Sequence, residues 1–213
     1  MANYNAHTYF GMRVLEELSP AFRRALTEEL SVFRTALYGP DPLIFSLRTK
    51  RLSDYLHKIW RQETLPELQQ AIRLGTAPAR CFAAGYLLHQ ELDDVIHPWI
   101  YRWMREGSSH FHMEVELDAI ILREQGIDHV PHLYTKDSRR TADAAANFIR
   151  PATRAQYLSG LRRMSAFTDS FRLFGPRVCR TITDREKEQA QFLRRSLEDL
   201  IPAAAGQLTG LME

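Results

Sequence analysis

Apolar side chains return every three or four residues along almost the whole chain, and nowhere do apolar and polar residues alternate for the length of a strand. That period is the repeat of an α-helix, and few glycines interrupt it, so the fold class is all-α. Ser19-Pro20 supplies an N-cap and a first helical residue, and Phe22, Leu26, Leu30, Phe33 and Leu37 mark one face until Gly39 stops the helix. Further helices are predicted near 64–74, 78–104, 108–125, 137–148, 152–174 and 182–210. Pro98 should end or kink the second of these, because it has no N–H to bond back to Asp94. No repeat or linker divides the 213 residues, so residues 1–213 should form a single-domain multi-helix bundle.

Composition narrows the function classes. A net charge of +2 gives no basis for a nucleic-acid partner, and 45% hydrophobic with 25% charged residues is the balance of a soluble globular chain. The start MANYNAHTYFG lacks a basic segment followed by an apolar core, and no apolar run approaches about 18 residues. A cytoplasmic protein with no transmembrane segment is expected. Cys81 and Cys179, far apart, are read as buried free thiols.

Two helices carry more titratable groups than a core face needs. At about 100° per residue, His89, Asp93 and His97 of HQELDDVIHP fall within an arc of about 80°, beside Phe82, Tyr86, Leu92 and Ile96. Gln90, Glu91 and Asp94 point further round, towards solvent. Asp93 therefore faces the core, where a carboxylate requires an ion pair or a metal, and two imidazoles with a carboxylate suit zinc. Gly85, one turn earlier, leaves room either for a second element to approach closely or for simple packing.

SSHFHMEVELDAIIL repeats the ladder with His110, Glu114 and Asp118, accompanied by Met113, Leu117 and Ile121. His112 and Glu116 project the other way with Arg123, as a solvated pair. A metal site and a buried His–Asp hydrogen-bond network both satisfy such ladders. All eight histidines lie between residues 7 and 132, which locates the chemistry. His7 sits before the first helix, His57 near a short one, and Asp41 lies between prolines in GPDP, which favours an extended backbone. His129 and His132 belong to a surface loop.

The ordered set AHTYFG, GPDP, YLH, GYLLHQELDDVIHPW and HFHMEVELD, over about residues 4–125, resembles the zinc-dependent phospholipase C family. The resemblance implies an all-α fold of the phospholipase C and single-strand nuclease type, with helices of 137–213 as packing. It also implies two or three zinc ions. Asp41, His57, His89 and Asp93 would hold one, Asp93 would bridge to a second that His7 ligates, and His97, His110 and Glu114 would hold a separate ion. The helical faces select five of these eight; His7, Asp41 and His57 come from the resemblance alone.

The implied activity is hydrolysis of a phosphodiester by zinc-activated water, with a phospholipid as substrate and Asp41 as both ligand and proton acceptor. A single-strand nuclease of the same superfamily, and a metal-stabilised binding protein without turnover, are the alternatives. There is no His-Asp doublet of the HD phosphohydrolases and no Glu-x-x-His pair of the di-iron bundles. Arg13, Arg48 and Lys50 lie near the ligand segments, but solvated surface charge is the preferred reading of them. Trp99, Tyr101 and Trp103 are read as packing residues before lipid contacts.

Overall fold

The computed structural model describes residues 4–213, the side chains of Phe174 and Pro176 excepted. Among the described residues ten α-helices account for the period seen in the sequence: α1 (Tyr4–Glu17), α2 (Pro20–Thr27), α3 (Leu30–Ala36), α4 (Lys50–Ile59), α5 (Leu65–Leu74), α6 (Ala77–Arg105), α7 (His110–Glu124), α8 (Ser138–Ala145), α9 (Arg154–Cys179) and α10 (Asp184–Met212). A 3-10 turn over Asp41–Phe45 joins α3 to α4, and a π-type turn over Trp60–Thr64 joins α4 to α5. No strand occurs among the described residues, and no helix there is long and apolar enough to cross a membrane.

The 29-residue α6 is the axis of one all-α domain: α1, α2, α3, α5, α8 and α10 all pack on it. Phe82, Tyr86, Leu92 and Ile96 of α6 are completely buried, and each such side chain contributes about 1.5–3 kcal/mol by leaving water. Gly85 permits the closest of these contacts, because a Cβ there would stand 2.6 Å from the Phe33 carbonyl oxygen of α3. The second element anticipated at Gly85 is thus α3, and its approach brings the turn after α3 onto the His89 face.

Local capping follows the sequence. Ser19 Oγ accepts the Phe22 N–H at 3.3 Å, and Thr153–Gln156 and Thr183–Glu186 form reciprocal capping boxes at the starts of α9 and α10. Glu186 also accepts the Ser109 N–H at 2.8 Å, so one carboxylate ties the start of α7 to the start of α10.

Several expectations are corrected. The helix begun at Ser19 is broken at Glu29, where φ −120° and ψ 58° leave the helical region, and Leu30 is 37% exposed instead of facing inward. Residues 4–17 form a helix, so His7 lies inside α1 and not before it. The GPDP segment coils into the 3-10 turn instead of extending, because Asp41 N–H bonds Tyr38 O at 3.1 Å and Leu43 N–H bonds Pro40 O at 3.0 Å. Pro98 does not end α6, which continues to Arg105; Trp99 and Trp103 pack on Phe192 of α10 at ring separations of 4.9 and 5.6 Å and hold the last turns. Cys81 is buried, whereas Cys179 is exposed.

Candidate metal centre

The turn after α3, and helices α1, α4, α6 and α7, bring all eight predicted ligands to one place. They fall into three groups, each with donor atoms within 4.8 Å of one another: His7, His89 and Asp93; Asp41, His57 and His89; His97, His110 and Glu114. Buried groups of this kind can hold metal ions.

Asp93 is the hub. Its Oδ1 lies 3.2 Å from His7 Nε2, and its Oδ2 lies 3.3 Å from both His57 Nε2 and His89 Nε2 and 3.5 Å from His97 Nδ1. His57 Nε2 is 3.3 Å from His89 Nε2 and 3.4 Å from Asp41 Oδ1. Ligands around a tetrahedral ion at about 2.0–2.1 Å stand about 3.3–3.4 Å apart, which is the mutual spacing of the His57, His89 and Asp93 donors.

The outer contacts fix which ring nitrogens are available. His89 Nδ1–H donates to Leu37 O at 3.1 Å, and His57 Nδ1–H donates to Ser53 O at 2.8 Å, so each ring turns Nε2 towards the centre. His89 belongs to both of the first two groups, and the lone pair on its Nε2 can serve only one ion. His7 Nε2 and Asp93 Oδ1, 3.2 Å apart, would be donors to a second. His97 Nε2 and His110 Nε2 reach Glu114 Oε1 at 3.6 and 2.8 Å and form the separate group.

His7 provides the test of fit. It is 2% exposed, and neither ring nitrogen makes a hydrogen bond; the 3.2 Å approach to Asp93 is too poorly aimed for one. Burial, and then the His89 ring stacked on it at 4.2 Å, push its pKa down, which leaves a neutral imidazole with an unused lone pair. A buried, neutral and unpartnered histidine beside a carboxylate fits a ligand and is costly as a mere core residue.

The hydrogen-bond network weighed against a metal is realised only in part, since His110–Glu114 is a hydrogen bond while the set around Asp93 is close but mostly misaimed. Burial opposes charge on His57, yet Asp93 and Asp41 outweigh it and raise the pKa to about 9; His97 is raised too, burial again being outweighed by Asp93 and Glu114. Asp93 and Glu114 are held low despite burial, by the histidines around them. In the metal-free protein His57 therefore carries an extra proton at neutral pH.

The sign follows. A folded-state pKa near 9 against about 6.5 unfolded gives stability that is complete below about 6.5 and lost as pH rises through about 9. An ion must displace that proton. Zinc binding at pH 7 is expected to release at least one proton per chain and to strengthen up to about pH 9, as calorimetry in buffers of different ionisation enthalpy would read; no proton release would contradict it.

Two structural supports escape a sequence reading. Asp118 accepts the Ala6 N–H at 2.9 Å and Asn5 Nδ2 at 3.0 Å, so α7 caps α1 and aims His7. Burial pushes the Asp118 pKa well up, and the Ala6 and Asn5 donors oppose it. Gly39, at φ +49°, lies under the His89 ring: a Cβ there would come within 2.1 Å of Cδ2. Gly39→Ala is expected to displace His89 and weaken zinc retention, with about 1–3 kcal/mol lost to backbone strain alone. Denaturation and elemental analysis of one preparation check both; full zinc content at wild-type stability would refute it.

The remaining expectations divide. Gln90 is buried at 1% exposure, not solvated, and Asp94 is half-buried, accepting Trp60 Nε1–H at 3.3 Å and pairing with Arg61 at 2.5 Å. His112 stays out of the cluster but bonds Glu186 at 3.1 Å, and Glu116 is buried against Arg123 at 2.7 Å instead of solvated. His129 and His132 are exposed and pair with Asp128 and Asp169. Lys50 lines the cleft; Arg13 and Arg48 are not among its lining residues. That cleft, about 700 Å³, opens over Asp41, His57, Asp93, His97 and Glu114, with Ile44, Pro98, Tyr101 and Phe111 as its less polar wall. No family model, curated protein or solved structure matches the chain, so a functional reading stands on this geometry.

Proposed function

We propose that the chain is a zinc-dependent phosphodiesterase of the phospholipase C type, acting on a phospholipid. The observation that carries the reading is the convergence of the His57, His89 and Asp93 donors, each pair 3.3 Å apart, with Asp41 Oδ1 3.4 Å from His57, beneath an open cleft. A set rich in imidazole, with carboxylates and no thiolate, suits zinc.

Bound there, zinc supplies Lewis acidity, neutralising charge on phosphoryl oxygens and making water nucleophilic near neutral pH. Asp41 is the protein's proton acceptor in this reading. Its side chain is 18% exposed against 5% for Asp93, so of these two acids lining the cleft Asp41 is the more open to substrate and water. Water oxygen bonds to phosphorus, the bond to the departing alcohol breaks, and the proton taken by Asp41 is available to that alcohol. The wall of Ile44, Pro98, Tyr101 and Phe111 favours an ester with apolar substance beside its phosphate.

The test is hydrolysis by the zinc-loaded chain of a short-chain phosphatidylcholine and of single-stranded DNA, before and after chelation. Chelator-sensitive release of the phosphorylated head group, restored by zinc, supports the proposal. Preference for DNA moves the reading to a nuclease, and bound zinc with neither activity moves it to a metal-stabilised binding protein.

A further inference from the structure

Within the cleft, one polar side chain is not used by the metal reading. Gln90 lines the cleft between His89 and Asp93 in sequence, yet it is 1% exposed, and its Nε2 is buried without a hydrogen-bond partner. One turn earlier on the same helix face, Tyr86 is completely buried and its hydroxyl also lacks a partner. Burial pushes the Tyr86 phenol well up, and the adjacent Gln90 amide works the other way, so the two side chains interact although they are not aligned as a hydrogen bond.

Two buried unpaired groups cost about 1–3 kcal/mol each, and a single change relieves both. A carboxamide has nearly the same shape either way round, and its last torsion is broad and two-fold. Turned end for end, Gln90 offers its carbonyl to the Tyr86 O–H and directs its N–H2 into the cleft. The other side chains there are acids, ligand histidines, Lys50 and Lys58, the apolar wall and the half-exposed Tyr101, so Gln90 is the cleft's only carboxamide among the described residues.

We propose that Gln90 is an oxyanion-binding residue of the cleft, donating from its carboxamide to a phosphoryl oxygen, and that Tyr86 is the positioning residue that fixes its orientation. The proposal rests on the zinc phosphodiesterase reading, which brings the phosphoryl group to that place. A donor pre-set by a buried partner needs no reorganisation when the anion arrives, which is where such a bond has most effect.

Inorganic phosphate is the probe, titrated calorimetrically into the zinc-loaded wild type and into Gln90→Met, Tyr86→Phe and the double variant, with zinc per chain measured on each. Gln90→Met is expected to weaken phosphate binding about tenfold to a hundredfold at unchanged zinc content, the value of one hydrogen bond to a charged acceptor. Tyr86→Phe is expected to weaken it less. The double variant should equal Gln90→Met, because Tyr86 acts only through Gln90. Unchanged phosphate affinity in a normally loaded Gln90→Met overturns this proposal alone. Additive losses overturn the role of Tyr86. A wild type that takes up no zinc overturns the metal reading and this proposal with it.

Discussion

Asp93→Ala is expected to lower the zinc content by at least one ion per chain and to destabilise the metal-free protein by about 3–5 kcal/mol, the cost of removing one partner from a buried charge cluster. Both effects come from one position. Asp93 lies within 3.2–3.5 Å of His7, His57, His89 and His97, so the His7 and His89 group loses its carboxylate and the His57–His89 pair loses the one beside it. The His97, His110 and Glu114 group stays complete. In the metal-free wild type, Asp93 and Asp41 hold His57 protonated up to about pH 9 against burial, and the variant loses the larger of these two supports. The stability deficit should therefore shrink as pH rises past about 9 and that proton leaves. Zinc should raise the unfolding midpoint of the wild type strongly and that of the variant weakly, because an ion stabilises only by binding the folded state. Denaturant unfolding across pH, with elemental analysis, gives every number needed; a variant with full metal content and wild-type stability would falsify the hub assignment.

Asp41→Asn is expected to lower turnover about 10²–10⁴-fold, the range of a positioned general base, while most of the zinc stays bound. The asymmetry arises because the His57, His89 and Asp93 donors, 3.3 Å apart, do not depend on Asp41. KM should change little if Asp41 handles the proton and does not hold the substrate. Full turnover in Asp41→Asn would remove the proton acceptor from the proposal. Parallel loss of zinc and turnover would reduce Asp41 to a ligand.

How the centre is built explains which parts of it could be read in advance. The ladders His89–Asp93–His97 and His110–Glu114 are properties of helices α6 and α7, and any chain coiled at 3.6 residues per turn places them on one face. Their apolar companions then say that the face is inward. Gln90 was misread because a wheel measures direction and not coverage: α6 is surrounded, so even its flank is closed over. Glu116 was misread for the same reason, buried where α7 is covered.

His7, Asp41 and His57 had no local signal. The helix that carries His7 has its first N–H groups satisfied by Asp118, 112 residues from Ala6, so no cap in its own sequence announces it. Asp41 meets His57 only because the chain turns at Gly39 and coils through Asp41–Phe45. The sequence by itself determined the helical class, the inward faces of α6 and α7 and the chemistry they bear. The tertiary structure alone decided that five segments converge along the Asp93 and His97 face of α6, because periodicity records local backbone geometry, whereas convergence depends on which helices pack across α6 and how closely Gly39 and Gly85 let them come.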